Sequence, residues 1–414
     1  RHGPIIITET IYSSEVQRSP SSCPIDSAMG VHIDWIPLGF VSSYHVLAVL
    51  GAIYVPITWT GVYAFATMYL MTGLAITVGY HRLFCHKSYE AITAWRAWWA
   101  FWGAGALQGS ILWWSRLHRL HHSFPDTPAD PYAPNRGFLY SHCLWMFHKV
   151  DRSEYLRLIN VNDLKKDWVV MFQHKTYVYQ GLFVAFGMPL LIFYHSPVQA
   201  LVYGGLWARL FTWHSTWCVN SLAHWLGHNE YSNETSAKDH LLTALLTFGE
   251  GNHGFHHAFS YSYQNGLKWY HYDPTRRIIE IARFFGLVYD LKHPNENEIR
   301  KAIYQVQESR LLGVKQSIIW PDPALNDVEI STSEYLNARD NGKLWVSLNG
   351  KVYDVANFIK DHPGGDQLLK SMASAPPQHV QEMYSKRHTH SKAARNLLEM
   401  MLVGTLISER EEAA

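Results

Sequence analysis

Twenty-five of the 414 residues are histidine, and nine of them fall into four short groups with metal-ligand spacing. These are His81-Arg-Leu-Phe-Cys-His86, His118-Arg-Leu-His121-His122, Asn220-Ser-Leu-Ala-His224 and His253-Gly-Phe-His256-His257. On a helix, positions i, i+3 and i+4 share a face. His118, His121 and His122 can therefore point into one site, and so can His253, His256 and His257. Imidazole suits iron, zinc and copper. Nine such ligands are too many for one ion and enough for two, at four or five each. Asn220 stands one helical turn before His224 and could complete a shell directly or through a water. Isolated histidines such as His45 and His174 read as ordinary polar residues.

The elements that must position these groups are apolar. A bilayer crossing takes about 20 apolar residues, and four stretches qualify: Ile36–Val55, Thr58–Tyr80, Tyr177–Tyr194, and a run from Val198 past Trp217 with Arg209 inside it. Short breaks at Pro56-Ile57 and His195-Ser196-Pro197 make two helical hairpins. Neither hairpin carries Lys or Arg at its turn, whereas the segment from His81 to Thr176 carries twelve. Positive charge marks the cytoplasmic side, so that segment, both termini and all four histidine groups are expected to face the cytosol. A fifth apolar run, Ala91–Trp114, is rich in Trp and interrupted by Arg96, Gly103, Gly105 and Gln108. It reads as a helix lying in the membrane interface. The first 32 residues are polar, lack a signal-peptide core and read as a cytosolic tail of a trimmed or partial chain.

Composition narrows the class. Lys+Arg is 35 against 34 Asp+Glu, a net charge of +1, which argues against nucleic acid as a partner. Cys23, Cys85, Cys143 and Cys218 show no pairing pattern, as expected of a reducing compartment. Two nitrogen-held metals beside a membrane suggest oxygen chemistry on a lipid. Breaking an unactivated C–H bond needs an oxidant that iron with O2 can make and zinc cannot. A zinc hydrolase would need a general base beside an open metal position, and no H-E-x-x-H is present. Glu250, three residues before His253, is the acid nearest in sequence to a histidine group, and it reads as a local hydrogen-bonding residue.

These motifs resemble the membrane acyl-CoA desaturases, and most closely the fungal form of the delta-9 (stearoyl-CoA) type. The likeness rests on the four histidine groups with Asn220. It extends to Asp130-Pro-Tyr, Arg136-Gly, Ser141-His, Phe172-Gln-His and Lys268-Trp-Tyr-His-Tyr-Asp-Pro. The resemblance implies a mostly α fold: a four-helix transmembrane bundle capped by a cytosolic helical di-iron domain. It implies two histidine-ligated irons, one with a water held by the asparagine, and a bent tunnel for the acyl chain of a long-chain acyl-CoA. Matched on the motifs, Gln108, Trp114 and Trp217 are tunnel-lining positions, and Arg116 and Lys149 are basic positions on the CoA side. His148 replaces the arginine before Lys149, Leu117 stands where animal members carry aspartate, and Gly109 where they carry asparagine. Side chains around Phe65–Met71 are expected to close the tunnel. A di-iron fatty-acyl or sphingolipid hydroxylase is the alternative, and the product separates the two.

The composition changes after about Asp290. Asn295–Leu312 is polar and helix-like, and Pro321-Asp-Pro is a breaker. Lys343–Val355 then alternates around Asn349-Gly350, a strong hairpin signal. His362-Pro-Gly-Gly follows, with His390 28 residues beyond His362. Two such histidines suggest bis-axial haem ligation, which leaves no open iron position and so transfers electrons. This segment resembles cytochrome b5, a small α+β haem domain, and by that resemblance His362 and His390 are the axial pair. His388 is an alternative on spacing alone, and His379 reads as solvent-exposed.

The expected organisation is a tail at 1–32, a desaturase domain at 33–290, a linker at 291–324 and a haem domain at 325–410. The resemblance further implies two non-haem irons, haem b, O2 and a lipid bilayer. It also implies NADH-cytochrome b5 reductase as the electron donor and an endoplasmic-reticulum location. The substrate expected is a saturated C16 or C18 acyl-CoA.

Overall fold

A computed structural model describes residues 32–387 and 390–407. Residues 1–31 of the tail, Cys23 among them, and His388 lie outside the described residues. The chain divides into two compact units, Arg1–Ser309 and Arg310–Ala414. The boundary falls within the helix Glu296–Ser317, so most of the expected linker is helical.

The first unit is helical. Its opening hairpin is the helix Trp35–Tyr54 followed by Trp59–Cys85, both long and apolar enough to cross a membrane. Asp34 caps the first through Ile36 N and Thr58 caps the second through Gly61 N. Ile36, Val46, Leu47 and Ile53 stand exposed along the first helix, a surface suited to lipid and not to water.

The third and fourth expected spans fall in continuous helical runs, 168–192 and 197–220. Among the described residues, the first two helices alone combine sufficient length with sufficient hydropathy. Lys175 and Gln180 dilute the third run, and Arg209 and His214 the fourth. Arg209 is fully buried, and its guanidinium donates to the Gly105 and Met68 carbonyls, so a charge sits inside an apolar run without facing lipid. The second helix packs against the Ala200–Trp207 and Ala208–Asn220 segments of the fourth run.

Two expectations need correction. The second helix does not stop at Tyr80 but continues through a π-helical segment, Ala75–Cys85, so His81 lies inside it. Ala91–Trp114 is not one interfacial helix. It breaks at Gly105–Ser110 into Thr93–Ala104 and Ile111–Ser123. Gly109, at φ +93°, makes the turn, and Ser110 caps the second piece through Trp113 N. Thr93–Ala104 packs on Ala75–Cys85 and on Trp168–Leu182, which buries Trp99 and Trp102 in protein.

The second unit is α+β. Its sheet runs in the order Glu329–Ser331, Leu402–Ile407, Lys351–Asp354, Trp345–Leu348, with the first pair parallel and the others antiparallel. Asn349 (φ +53°) and Gly350 (φ +76°) form the expected two-residue turn, both in the left-handed region. Val346, Tyr353, Leu369, Met372, Val380 and Leu402 form one core between the sheet and the helices Asp366–Ser374 and Pro377–Arg387.

Candidate metal centre and haem site

The nine histidines converge in the first unit as two groups, His81, His86, His118, His122 and His256, and His121, His224, His253 and His257. Within each group the candidate ligand atoms lie within 4.8 Å of one another. Each H-x-x-H-H motif is split between the groups, contrary to the expectation that it serves one site. His118 and His122 go to one and His121 to the other; His253 and His257 go to one and His256 to the other. The reason is angular: at 3.6 residues per turn, i+4 lies about 40° to one side of i and i+3 about 60° to the other. A helix standing between two sites can therefore feed both.

His81 and His86 need different geometry. On an α-helix, residues five apart point about 140° away from each other. The π-turn removes that divergence, because His86 N bonds to His81 O at 3.0 Å, an i to i+5 link. Both rings then join one group.

Neighbouring Nε2 atoms are 3.0–3.2 Å apart along two series, His81–His256–His122–His118–His86 and His121–His257–His253. His118, His122 and His256 each bring Nε2 close to two other Nε2 atoms. One ring proton cannot serve two such neighbours. Lone pairs around a shared cation can, since right-angled bonds of about 2.1 Å put adjacent nitrogens about 3.0 Å apart. Burial, followed by the mutual repulsion of the rings, holds His118, His122, His253, His256 and His257 well below the usual imidazole range. His224 is lowered to about 3 by burial and then by His121. All are therefore neutral and ready to ligate. His224 Nε2 is buried with no hydrogen-bond partner, an orphan that a metal would satisfy. The donor set fits two metal ions.

Acids stand behind three of the rings, two directly and one through a serine. Asp130 receives His121 Nδ1 at 2.9 and 3.0 Å. Glu250 Oε2 lies 3.0 Å from His81 Nδ1. His224 Nδ1 meets Ser236 Oγ at 2.8 Å, and Ser236 in turn donates to Asp126. Such partners fix ring orientation and raise ligand basicity. Sequence proximity found Glu250 but gave it too small a role. Asp126 and Ser236 are joined only by the fold. Burial opposes ionisation of Glu250, yet Arg82 and then His81 bring its carboxyl down to about 2.

Two cavities share part of their walls, and the inner one meets the first group. The outer one, about 510 Å³, is mostly apolar and includes Gln108, Trp113, Trp114, Tyr132, Trp213 and Trp217 in its wall. The inner one, about 40 Å³, includes Gly73, Thr77, His81, His118 and Phe248. Trp114, Tyr132, Thr216 and Asn220 line both. Gln108 and Thr216 are tied at 2.9 Å. Gln108, Trp114, Trp217 and Asn220 all line the outer cavity.

Arg116, His148 and Lys149 do not line either cavity. The Arg116 guanidinium donates to the Leu156 carbonyl, and His148 Nδ1 contacts the Leu144 carbonyl at 2.7 Å. Lys149 is exposed and pairs through its backbone with His32. The basic residue that does line the outer cavity is Lys175, which the sequence offers only as one of the twelve charges between His81 and Thr176.

In the second unit, Gly365 has φ +84° and Gly364 packs on the His362 ring, where an added Cβ would lie 2.7 Å from Cε1. His390 stacks on Tyr384 at 4.3 Å with planes 4° apart, and its Nδ1 is buried without a partner. A glycine cradle at one histidine and an orphaned nitrogen at the other fit haem. His379 is exposed, as expected.

Fold and site together define a metal-dependent oxidoreductase with a membrane-type helical hairpin and a separate haem unit. Comparison with known proteins makes this specific. The fatty acid desaturase family matches residues 56–292, and the cytochrome b5-like haem/steroid binding domain matches 331–407. Acyl-CoA desaturase 1 of Saccharomyces cerevisiae is 36% identical over 83% of this chain and 68% of its own length. A probable acyl-CoA desaturase of Schizosaccharomyces pombe is 38% identical over 82% and 71%. A Delta(9)-fatty-acid desaturase of Caenorhabditis elegans is 35% identical over 63% and 80%. The chain belongs to the fatty acid desaturase family and carries a fused cytochrome b5-like domain. It is a desaturase of lipid metabolism whose cofactors are two non-haem irons and a haem.

Proposed function

We propose that the chain converts saturated C16 or C18 acyl-CoA to the cis-delta-9 monounsaturated product. The observation that carries this reading is the apolar outer cavity continuing into a narrow inner one beside His81 and His118. An acyl chain would thread past Trp114 and Trp217 and end in the second helix. There Tyr69 packs 5.0 Å from Phe248, and its hydroxyl meets Ser215 Oγ at 2.7 Å. Gly73 lets the Phe248 ring pack directly on the second helix there, since any Cβ would strike that ring. Lys175 offers a cation at the cavity for the CoA phosphates. Arg116, His148 and Lys149 are retained as candidate CoA contacts on the family resemblance alone.

The two histidine groups hold the irons, with Asn220 reaching the first through a water. His362 and His390 hold haem b. Iron with O2 supplies the oxidant that removes hydrogen from an unactivated methylene. The residues of the chain hold two methylenes beside the centre, keep water from them with Trp114 and Trp217, and keep the imidazoles neutral. Substrate gives two electrons and two hydrogens; two further electrons and two protons complete the reduction of O2 to two waters. The electrons pass singly from NADH-cytochrome b5 reductase through the haem unit, with 291–324 as linker between 33–290 and 325–410. We place the chain in the endoplasmic-reticulum membrane, with four spans, and with termini and catalytic domain cytosolic.

The test is product analysis of stearoyl-CoA with iron-loaded protein, NADH and the reductase. Oleoyl-CoA with its double bond at C9 is the expected product. A hydroxylated acyl chain, or a double bond elsewhere, overturns the assignment. A second test addresses the acids behind the rings. Asp130→Ala is expected to weaken iron retention about 10–100-fold, measured by iron remaining per chain under chelator competition.

A further inference from the structure

Three histidines far apart in sequence, His45, His142 and His214, meet in the first unit outside both iron groups. His45 Nε2 is 3.2 Å from His214 Nε2, and His214 Nδ1 is 3.0 Å from His142 Nε2. Beyond them, His45 Nδ1 is 2.7 Å from the Val41 carbonyl, and His142 Nδ1 is 2.9 Å from Ser221 Oγ. Ser221 Oγ donates to the Trp217 carbonyl at 2.8 Å.

Counting hydrogens decides what these contacts mean. Three neutral imidazoles and one hydroxyl supply four hydrogens for five links. The Val41 carbonyl at one end and the Trp217 carbonyl at the other only accept. His45 must then carry its hydrogen on Nδ1, toward Val41. Ser221 spends its own on Trp217, so His142 carries its hydrogen on Nδ1, toward Ser221. His142 Nε2 is left as an acceptor, and His214 donates to it from Nδ1. Four links are filled, and the fifth is two bare Nε2 lone pairs facing each other at 3.2 Å. That is a repulsive contact unless a cation lies between them. The same separation, 3.0–3.2 Å, recurs between the Nε2 atoms of the iron groups.

We propose that His45 and His214 form a third transition-metal site, for a divalent cation of the zinc class. The remaining positions on the ion are left to solvent. Both rings have the outer-nitrogen tether that metal-bound histidines use: a backbone carbonyl for His45 and His142 for His214. His142 and Ser221 are positioning residues. His142 reaches the pair from the His81–Thr176 segment, the side from which an ion would enter. Histidines within helices of membrane type are costly to keep, and His45 sits in the middle of Trp35–Tyr54. Trp217 stacks over His45 at 6.5 Å and meets His214 edge-on at 4.9 Å, which couples the site to the wall of the outer cavity.

The experiment uses the full-length holoprotein with both irons and haem in place, equilibrated with excess Zn2+ and counted by elemental analysis. The wild type is expected to hold one zinc per chain more than His45→Ala or His214→Ala, with iron, haem and desaturation unchanged in both variants. His142→Ala is expected to weaken zinc retention about 10–100-fold without removing a ligand. Cobalt(II) in place of zinc gives an optical band that the same variants should lose. His214→Gln keeps the side-chain bulk and replaces His214→Ala if that variant loses iron. Equal zinc in the wild type and in the His45 and His214 variants overturns the proposal. So does a wild type that binds no zinc, which would leave a shared proton as the cation.

Discussion

Arg82→Ala is expected to strip iron from the protein and to cost about 3–5 kcal/mol of stability, although Arg82 touches no metal. The side chain is 1% exposed. Its guanidinium grips Asp273 through two bonds of 2.9 and 3.0 Å, Glu250 at 2.9 Å, and the Tyr263 carbonyl at 2.7 Å. Deleting it leaves two carboxylates buried without their counter-charge. Asp273 in turn accepts from Asn265 N and Arg276 N, so the Tyr263–Asp273 loop loosens with it. Glu250 stops being a fixed anion behind His81.

The pH dependence follows with a definite sign. Burial raises the Glu250 carboxyl, and the opposing pull of Arg82 and His81 brings it from 4.5 to about 2. A depressed folded pKa contributes stability above the unfolded value, and that contribution is lost as pH falls from 4.5 toward 2. Without Arg82, burial prevails and Glu250 protonates at higher pH, so the variant should shed iron under milder acid than the wild type. Iron per chain and thermal midpoint, followed from neutral pH downward, check both parts. Arg82→Lys should be intermediate, because an ammonium cannot bridge two carboxylates as a guanidinium fork does. A variant that keeps two irons and melts with the wild type would show that the network is dispensable.

The histidines that carry this chemistry were legible because metal binding demands one residue type in dense local spacing. The number of ions followed from counting. How the nine divide between two ions did not, because that depends on where each helix stands relative to both sites. His81 and His86 were legible as a pair only through their neighbours, since their five-residue spacing fits no α-helical face and the π-turn that aligns them has no sequence period of its own. Asp130 and Glu250 lie near histidines in sequence, but Asp126 reaches His224 through Ser236, 110 residues away. Arg82, inside an apolar helix, reads from sequence as a charge at the end of a span. Its two carboxylates are 168 and 191 residues distant.

The fold was legible in the same uneven way. Alternation around Asn349-Gly350 fixes a hairpin because a two-residue turn needs both residues at positive φ. Apolar length found the first hairpin helices. It misread Ala91–Trp114, because composition cannot distinguish tryptophans that meet lipid from those, like Trp99 and Trp102, that meet other helices. His45 was set aside as isolated for the same reason: its partners, His142 and His214, arrive from other elements.

His362→Ala is expected to remove the haem spectrum, leave two irons bound and drop NADH-driven desaturation at least about 100-fold. The two units have separate cores, so loss of one cofactor need not unfold the other. At the haem site, His362 stands between the Phe358 ring, 5.8 Å away, and the glycine turn that keeps the space beside it free of side chains. Alanine leaves that turn intact and removes only the proposed ligand. The iron centre would then be complete but without its tethered donor. Adding free cytochrome b5 should restore turnover only as its concentration approaches the millimolar effective concentration that a tether provides. The converse variant, His121→Ala, should keep the haem spectrum and gain nothing from added cytochrome b5, because the defect lies after electron delivery. If His362→Ala turns over normally with NADH and reductase alone, electrons reach the irons without this haem, and the fused unit has another role.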